Sequence, residues 1–228
     1  MTVVENAKSA CRGRGRPQIR SDEETLELIV EAAREEFDAS GYAGASMCSV
    51  AQRAGVSTKT LYRLIPTKDA LFENVVGSRI ERFMLEIDER ALNNLDIEQG
   101  LTRILTAFGR LTLEPRTIGI FRLVLSECER FPEIGQALYE VAVRRSGAAI
   151  ARWLTQQREK GLIELDDPLT ASGMLRGMMI MEPQRATMMG QRAAPDQLEI
   201  DQRAKVCARL FLNGCRRAGE GSRGGPPV

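Results

Sequence analysis

The sequence predicts an all-α protein in two parts, a small N-terminal three-helix unit containing a helix-turn-helix and a larger helical C-terminal unit. Three observations carry that prediction. Apolar residues recur at helical spacing from Leu26 to Phe211. Ser21, Ser46, Ser57, Thr67 and Asp167 stand where N-caps belong. No strand–helix alternation, phosphate loop or G-x-G-x-x-G stretch interrupts the pattern. With 43% hydrophobic and 28% charged residues over 228 positions, the chain has the composition of an ordinary folded protein.

The first helix starts at Ser21, where Glu24 three residues on completes a capping box, and Asp22 and Glu23 suit the positive end of the helix dipole. Leu26, Ile29, Ala33 and Phe37 form its apolar face, and Gly41 is placed to end it. Ser46 caps a short second helix with Met47, Val50, Ala51 and Ala54 inward, closed by Gly55. Ser57 caps a third that buries Leu61 and Leu64 before Pro66 stops it. Two short helices about a tight glycine turn make a helix-turn-helix. Ala51 sits where they cross and a larger side chain would not fit. The third helix presents Thr58, Lys59, Thr60, Tyr62 and Arg63 outward, a surface without an acid that suits the major groove and its phosphates.

The fourth helix is expected over residues 68–92, with Leu71, Val75, Phe83 and Ile87 inward. Leu101, Ile104, Leu105 and Phe108 mark a fifth, and Ile118, Phe121, Val124 and Leu125 a sixth. A long seventh follows Phe131-Pro132 and carries Ile134, Leu138, Val141, Ile150, Trp153 and Leu154 to Gly161. Asp167-Pro168 opens an eighth, crowded by Met174, Met178, Met179, Met181, Met188 and Met189, a residue type that adapts to pockets and to subunit seams alike. The ninth, from about Asp196, shows Ile200, Ala204, Cys207 and Phe211 on one side, where a dimer interface is expected.

Charge is segregated along the chain. Residues 8–20 carry five basic side chains and no acid, residues 21–38 carry eight acids against Arg34 alone, and residues 39–68 carry four basic side chains and again no acid. A net charge of +1 thus conceals acid-free blocks able to meet phosphate. The run Arg12-Gly13-Arg14-Gly15-Arg16-Pro17 fits an arm that lies in a narrow minor groove.

Other function classes are excluded by what is missing. The chain has no histidine, so Ser-His-Asp catalysis and His-ligated zinc are ruled out. Its five cysteines show no C-x-x-C spacing and are expected to be reduced thiols. Asp166-Asp167, the one acidic pair of interest to an all-α enzyme, sits at a helix start where capping explains it. No catalytic residue, metal or cofactor is expected. The longest charge-free stretch, residues 39–52, is too short for a membrane span, and the N-terminus lacks an apolar leader, so a cytoplasmic protein is expected.

Residues 22–76, and above all GYAGASMCSVAQRAGVSTKTLYRLIPTKDALF at 41–72, resemble the DNA-binding domain of the TetR family of bacterial regulators. Two positions depart from it: Ser46 stands where threonine is frequent, which keeps the hydroxyl, and Ile65 where an aromatic is common, which bears on the seam between the third and fourth helices. The resemblance implies phosphate contacts from Ser46, Tyr62 and Lys68, and base or groove contacts from Thr58, Lys59, Thr60 and Arg63. Arg12, Arg14 and Arg16 resemble both an AT-hook core and the basic arm of many such regulators. Residues 118–174, through SECERFPEIGQALYE and GLIELDDPLTA, are similar to the C-terminal domain of the AefR-like members. That likeness implies a homodimer through the last two helices and a central cavity for a small organic effector.

The expected organisation is therefore a basic arm over 1–20, the helix-turn-helix domain over 21–67, an effector and dimerisation domain over 68–218, and a flexible tail over 219–228. Phe108, Phe121, Trp153 and Met178 are the pocket candidates. The expected function is a homodimeric repressor on a palindromic double-stranded operator, released by a small organic molecule. An architectural DNA-binding protein without effector is the alternative.

Overall fold

The computed structural model describes residues 20–92 and 94–215. Arg12, Arg14 and Arg16, most of the expected arm and the expected tail lie outside them. The described residues form α1 (Asp22–Gly44), α2 (Met47–Arg53), α3 (Thr58–Leu64), α4 (Lys68–Glu86), α5 (Glu89–Leu92), α6 (Ile97–Leu113) and α7 (Pro115–Glu127). α8 (Pro132–Ala137) runs through a π-helical segment (Leu138–Arg144) into α9 (Arg145–Glu159), and α10 (Pro168–Met188) and α11 (Gln197–Cys215) complete the chain. No strand occurs among them, and the fold is all-α.

The caps explain where the helices begin. Ser21 accepts from the Glu24 amide while the Glu24 carboxylate accepts from the Ser21 amide, 3.1 and 2.8 Å apart. Ser46, Ser57, Thr67 and Asp167 each accept an amide of the first turn that follows. Gly55 and Gly161 take the left-handed conformation expected where their helices end.

Four elements depart from the sequence reading. Gly41 bends α1 at φ 69° without ending it, and one more turn runs to Gly44. The carboxylate of Glu127 on α7 accepts from the Tyr42 and Ala43 amides at 3.0 and 2.9 Å, supplying partners to N–H groups that the bend releases. The fourth helix stops at Glu86, because Asp88 turns its side chain to the Ala91 amide, 2.7 Å away, and restarts the chain as α5. On α7 the inward face is Thr117, Ile118, Ile120 and Val124, and Leu125 is 65% exposed. On α11, Ile200, Ala204 and Cys207 are buried in the chain's own core beside Leu101, Ile104 and Leu105 of α6. That stripe is therefore no dimer face; Phe211 lies half-buried at its margin.

Two cores hold the molecule. One joins Ile29, Phe37, Val50, Leu61 and Phe72 of the N-terminal helices to Ile120, Val124 and Ile134 of α7 and α8. The other joins α6 and α11 to Trp153 and Leu154 of α9 and to Leu175 and Met179 of α10. Ile65, the departure noted above, fills its seam completely, being 1% exposed.

Candidate nucleic-acid interface and the cavity behind it

The turn between α2 and α3 is built as its sequence requires. Gly55 supplies φ 67°, Leu61 is fully buried and Ala51 lies 1% exposed between the helices. The Ser46 and Ser57 oxygens accept from the Ser49 and Thr60 amides at 3.1 and 3.0 Å, fixing the first turn of each helix. α3 then exposes Thr58, Lys59, Tyr62 and Arg63, while Thr60 is half-buried against Ser57, 2.8 Å from its hydroxyl.

The cations of this block are less free than their order in the chain suggested. Arg63 donates to both oxygens of Asp22, at 2.8 and 2.7 Å. Arg53 reaches Glu35 and Glu36 of α1, each at 3.2 Å. Lys68 donates to the carbonyls of Tyr42 and Ala45 at 2.7 and 3.1 Å and lies 4.5 Å from the centre of the Tyr42 ring. Lys68 is thus part of the scaffold that closes α1, since an ammonium suits the carbonyl end of a helix. Lys59 is the exposed cation of α3 with no charge partner among the described residues. Acids remote in sequence fold onto the acid-free block, so segregation along the chain does not become segregation in space. Burial and the bond to Asp69, 2.8 Å away, push the Tyr42 phenol well above its ordinary range, so Tyr42 is a neutral donor here.

Behind the helix-turn-helix, α1, α4 and α7 meet in a charged seam. Arg79 of α4 pairs through two nitrogens with the carboxylate of Glu114 and donates to Thr117 at 2.7 Å. Arg116 reaches Glu31 of α1 at 2.8 Å, and Arg34 pairs with the same carboxylate. The hydrogen bonds from Arg79 hold the Glu114 carboxyl below its ordinary value. Burial lowers the Arg34 pKa and raises that of Asp38.

Arg79 also lines a cavity of about 130 Å³ between α4, α6, α7, the π segment and α10. Its walls are largely apolar, with Val76, Ile80, Phe108, Ile120, Phe121 and Leu138 among them, and Arg176 joins from α10. Of the four pocket candidates, Phe108 and Phe121 line this space. Trp153 and Met178 do not: Trp153 packs against Gly100 in the second core, and Met178 offers its carbonyl to Arg203 at 2.9 Å. The π segment was not foreseen. It places Leu138, Ala142 and Val143 on the cavity, a place where such irregular turns recur.

Among the described residues no helix is long and apolar enough to cross a membrane, and no group of Cys, Asp and Glu could hold a metal ion.

Residues 29–75 match the family described as bacterial regulatory proteins, tetR family, and residues 99–214 match the AefR-like transcriptional repressor, C-terminal domain. The HTH-type transcriptional regulator YhgD of Bacillus subtilis is 27% identical over 154 residues, covering 65% of this chain and 78% of its own. A TetR-family regulator from Mesorhizobium loti has a similar structure, with TM-score 0.73 and 26% identity over 87% of this chain and all of that one. The flavonoid-responsive regulator FrrA shares the fold, with TM-score 0.65 and 24% identity over 86% of this chain and 99% of that one.

Proposed function

Since this chain belongs to the TetR family of bacterial regulators and is a DNA-binding transcriptional regulator, we propose that it represses from a palindromic operator as a homodimer and is released by a small organic effector. The observation that carries the release is Arg79. One side chain lines an apolar cavity and grips Glu114 in the seam that holds α1, so occupancy of the cavity bears on the helix that carries the reading head. A bistable seam biased by a ligand is what an allosteric switch requires. FrrA, which shares the fold, is flavonoid-responsive, in keeping with an organic effector.

The reading head is assigned to residues 21–67 and the effector and dimer functions to 68–218, with the basic arm ahead of them and the cytoplasm as the place of action. Thr58, Lys59, Thr60 and Arg63 are the proposed groove contacts, with Ser46 and Tyr62 on phosphates. Lys68 reaches a phosphate only with an N–H left over from its two carbonyls. Dimerisation is assigned to the outer faces of α10 and α11. Met174 and Met181 are 64% and 45% exposed on the side of α10 away from buried Leu175 and Met179, and Val206 and Leu210 are 44% and 60% exposed on α11. A helix apolar on both sides needs a second cover, and a two-fold partner would bring two reading heads to half-sites about 34 Å apart.

The test is selection of a duplex from a random library, followed by fluorescence anisotropy across a salt series. A palindromic consensus bound by two protomers, with affinity lowered by a cavity ligand, is the expected result. Binding indifferent to sequence and to every cavity ligand would favour the architectural reading.

A further inference from the structure

Arg176 is an unusual wall for an apolar cavity. It joins Ile80, Phe108 and Phe121 there, and no carboxylate pairs with it among the described residues. One nitrogen, Nη1, donates to the Val143 carbonyl at 3.0 Å, whereas Nε is sealed from solvent and has no partner. Burial lowers its pKa, as expected of a cation without a counter-charge. Arg176 as a whole is half-buried, yet its Nε is cut off from water and unpaired, and a buried polar atom left unsatisfied calls for an explanation.

The surroundings hold this arginine in place. A Cβ on Gly147 would lie 2.9 Å from Nη2 and 3.0 Å from Cζ, so the missing side chain there lets the guanidinium rest against the α9 backbone. The Ser172 hydroxyl fixes that backbone through the Gly147 carbonyl at 2.9 Å. The π segment turns the Val143 carbonyl toward Nη1 while Ser146 donates to Ala142 at 2.7 Å. The seat leaves the charge unanswered. Arg79, the other cation of the cavity, already has Glu114.

We propose that the cavity takes a compact organic carboxylate, its head on Arg176 and its apolar body, no larger than one aromatic ring, among Phe108, Phe121 and Ile80. This rests on the reading of the chain as an effector-released repressor and names the effector's chemical class. The size follows from 130 Å³, since an apolar cavity of about 150 Å³ accommodates benzene. Release would run through Arg79, which lines the same cavity and holds Glu114 in the seam behind α1.

The experiment titrates the full-length protein by calorimetry with benzoate and phenylacetate and with their neutral isosteres benzamide and phenylacetamide. It is repeated with Arg176→Met, which keeps the apolar stem, and with operator affinity measured in parallel. The acids are expected to bind and the amides to bind at least about 30-fold more weakly, the loss when a buried charge pair loses one partner. Arg176→Met should lose the acids by a similar factor. Equal binding of acids and amides by the wild type, or no binding of either acid, would overturn the proposal without recourse to the variant. So would an Arg176→Met protein that binds the acids as tightly as the wild type, whatever its oligomeric state. Acid binding that leaves operator affinity untouched would keep the carboxylate site and instead refute the effector reading.

Discussion

Arg63 of α3 holds both carboxylate oxygens of Asp22, at 2.8 and 2.7 Å, across 41 residues of chain. The pair is exposed, so water and DNA phosphate both compete for it, and its geometry orients Arg63 as much as it restrains it. Asp22→Asn is expected to leave thermal melting close to that of the native chain and to strengthen operator binding. As Arg63 is a proposed groove contact, the gain should fall on the selected operator more than on unrelated duplexes, with the slope of log affinity against log salt changed by less than about one. Anisotropy titrations over several salt concentrations check this; an unchanged affinity and slope would mean that Arg63 leaves Asp22 on DNA at no cost.

Lys68 gives the opposite expectation. Its ammonium closes α1 through the Tyr42 and Ala45 carbonyls, so Lys68→Ala should unfold more readily, by about 1–2 kcal/mol for the loss of charge-assisted bonds in a half-buried site. Urea denaturation measures it. Native stability in the variant would return Lys68 to a purely phosphate-facing role.

For the dimer, Met174→Glu combined with Leu210→Glu alters two residues exposed in the isolated protomer. The helical circular dichroism should persist while light scattering reports a monomer, and operator affinity should drop sharply as one reading head is lost. A dimer that survives both substitutions would move the interface off α10 and α11.

The seam between cavity and α1 has a pH signature. The folded Glu114 carboxyl titrates below its ordinary value of 4.5, so the stability it contributes is present above that value and is lost as pH falls through the lower folded value. Glu114→Gln should therefore cost less than about 1 kcal/mol at neutral pH, its side chain being nearly half exposed, and the difference should close in acid. Denaturation across a pH series tests the sign. The same variant should weaken the mutual effect of effector and operator, read from the two binding constants measured with and without the other ligand.

Much of this was legible in the sequence because caps, glycine turns and helical spacing are local. Ser21 with Glu24, Ser57 before Thr58, and Gly55 at its turn each act within four residues, and each is found as read. What escaped depends on distant partners. Nothing near Gly41 announces that Glu127 will hold the next two amides and carry α1 onward. The α11 stripe was visible as a stripe, yet only packing shows that α6 covers it and that Val206 and Leu210 are left outside. Arg176 carries no signal in the sequence, because an arginine among methionines looks like any solvated charge until the cavity beside it is known.

The shared core of the N-terminal helices and α7–α8 sets a limit on recombination. Ile29, Phe37 and Phe72 rest on Ile120, Val124 and Ile134. A chimera cut at residue 67, grafting this operator specificity onto another sensor, would strand half of an interdigitated surface. Successful grafts should carry α7 and α8 along, or else confine themselves to the outward side chains of α3. Lineages that change operator are then expected to drift by point substitution on that helix, with the block beneath it inherited whole.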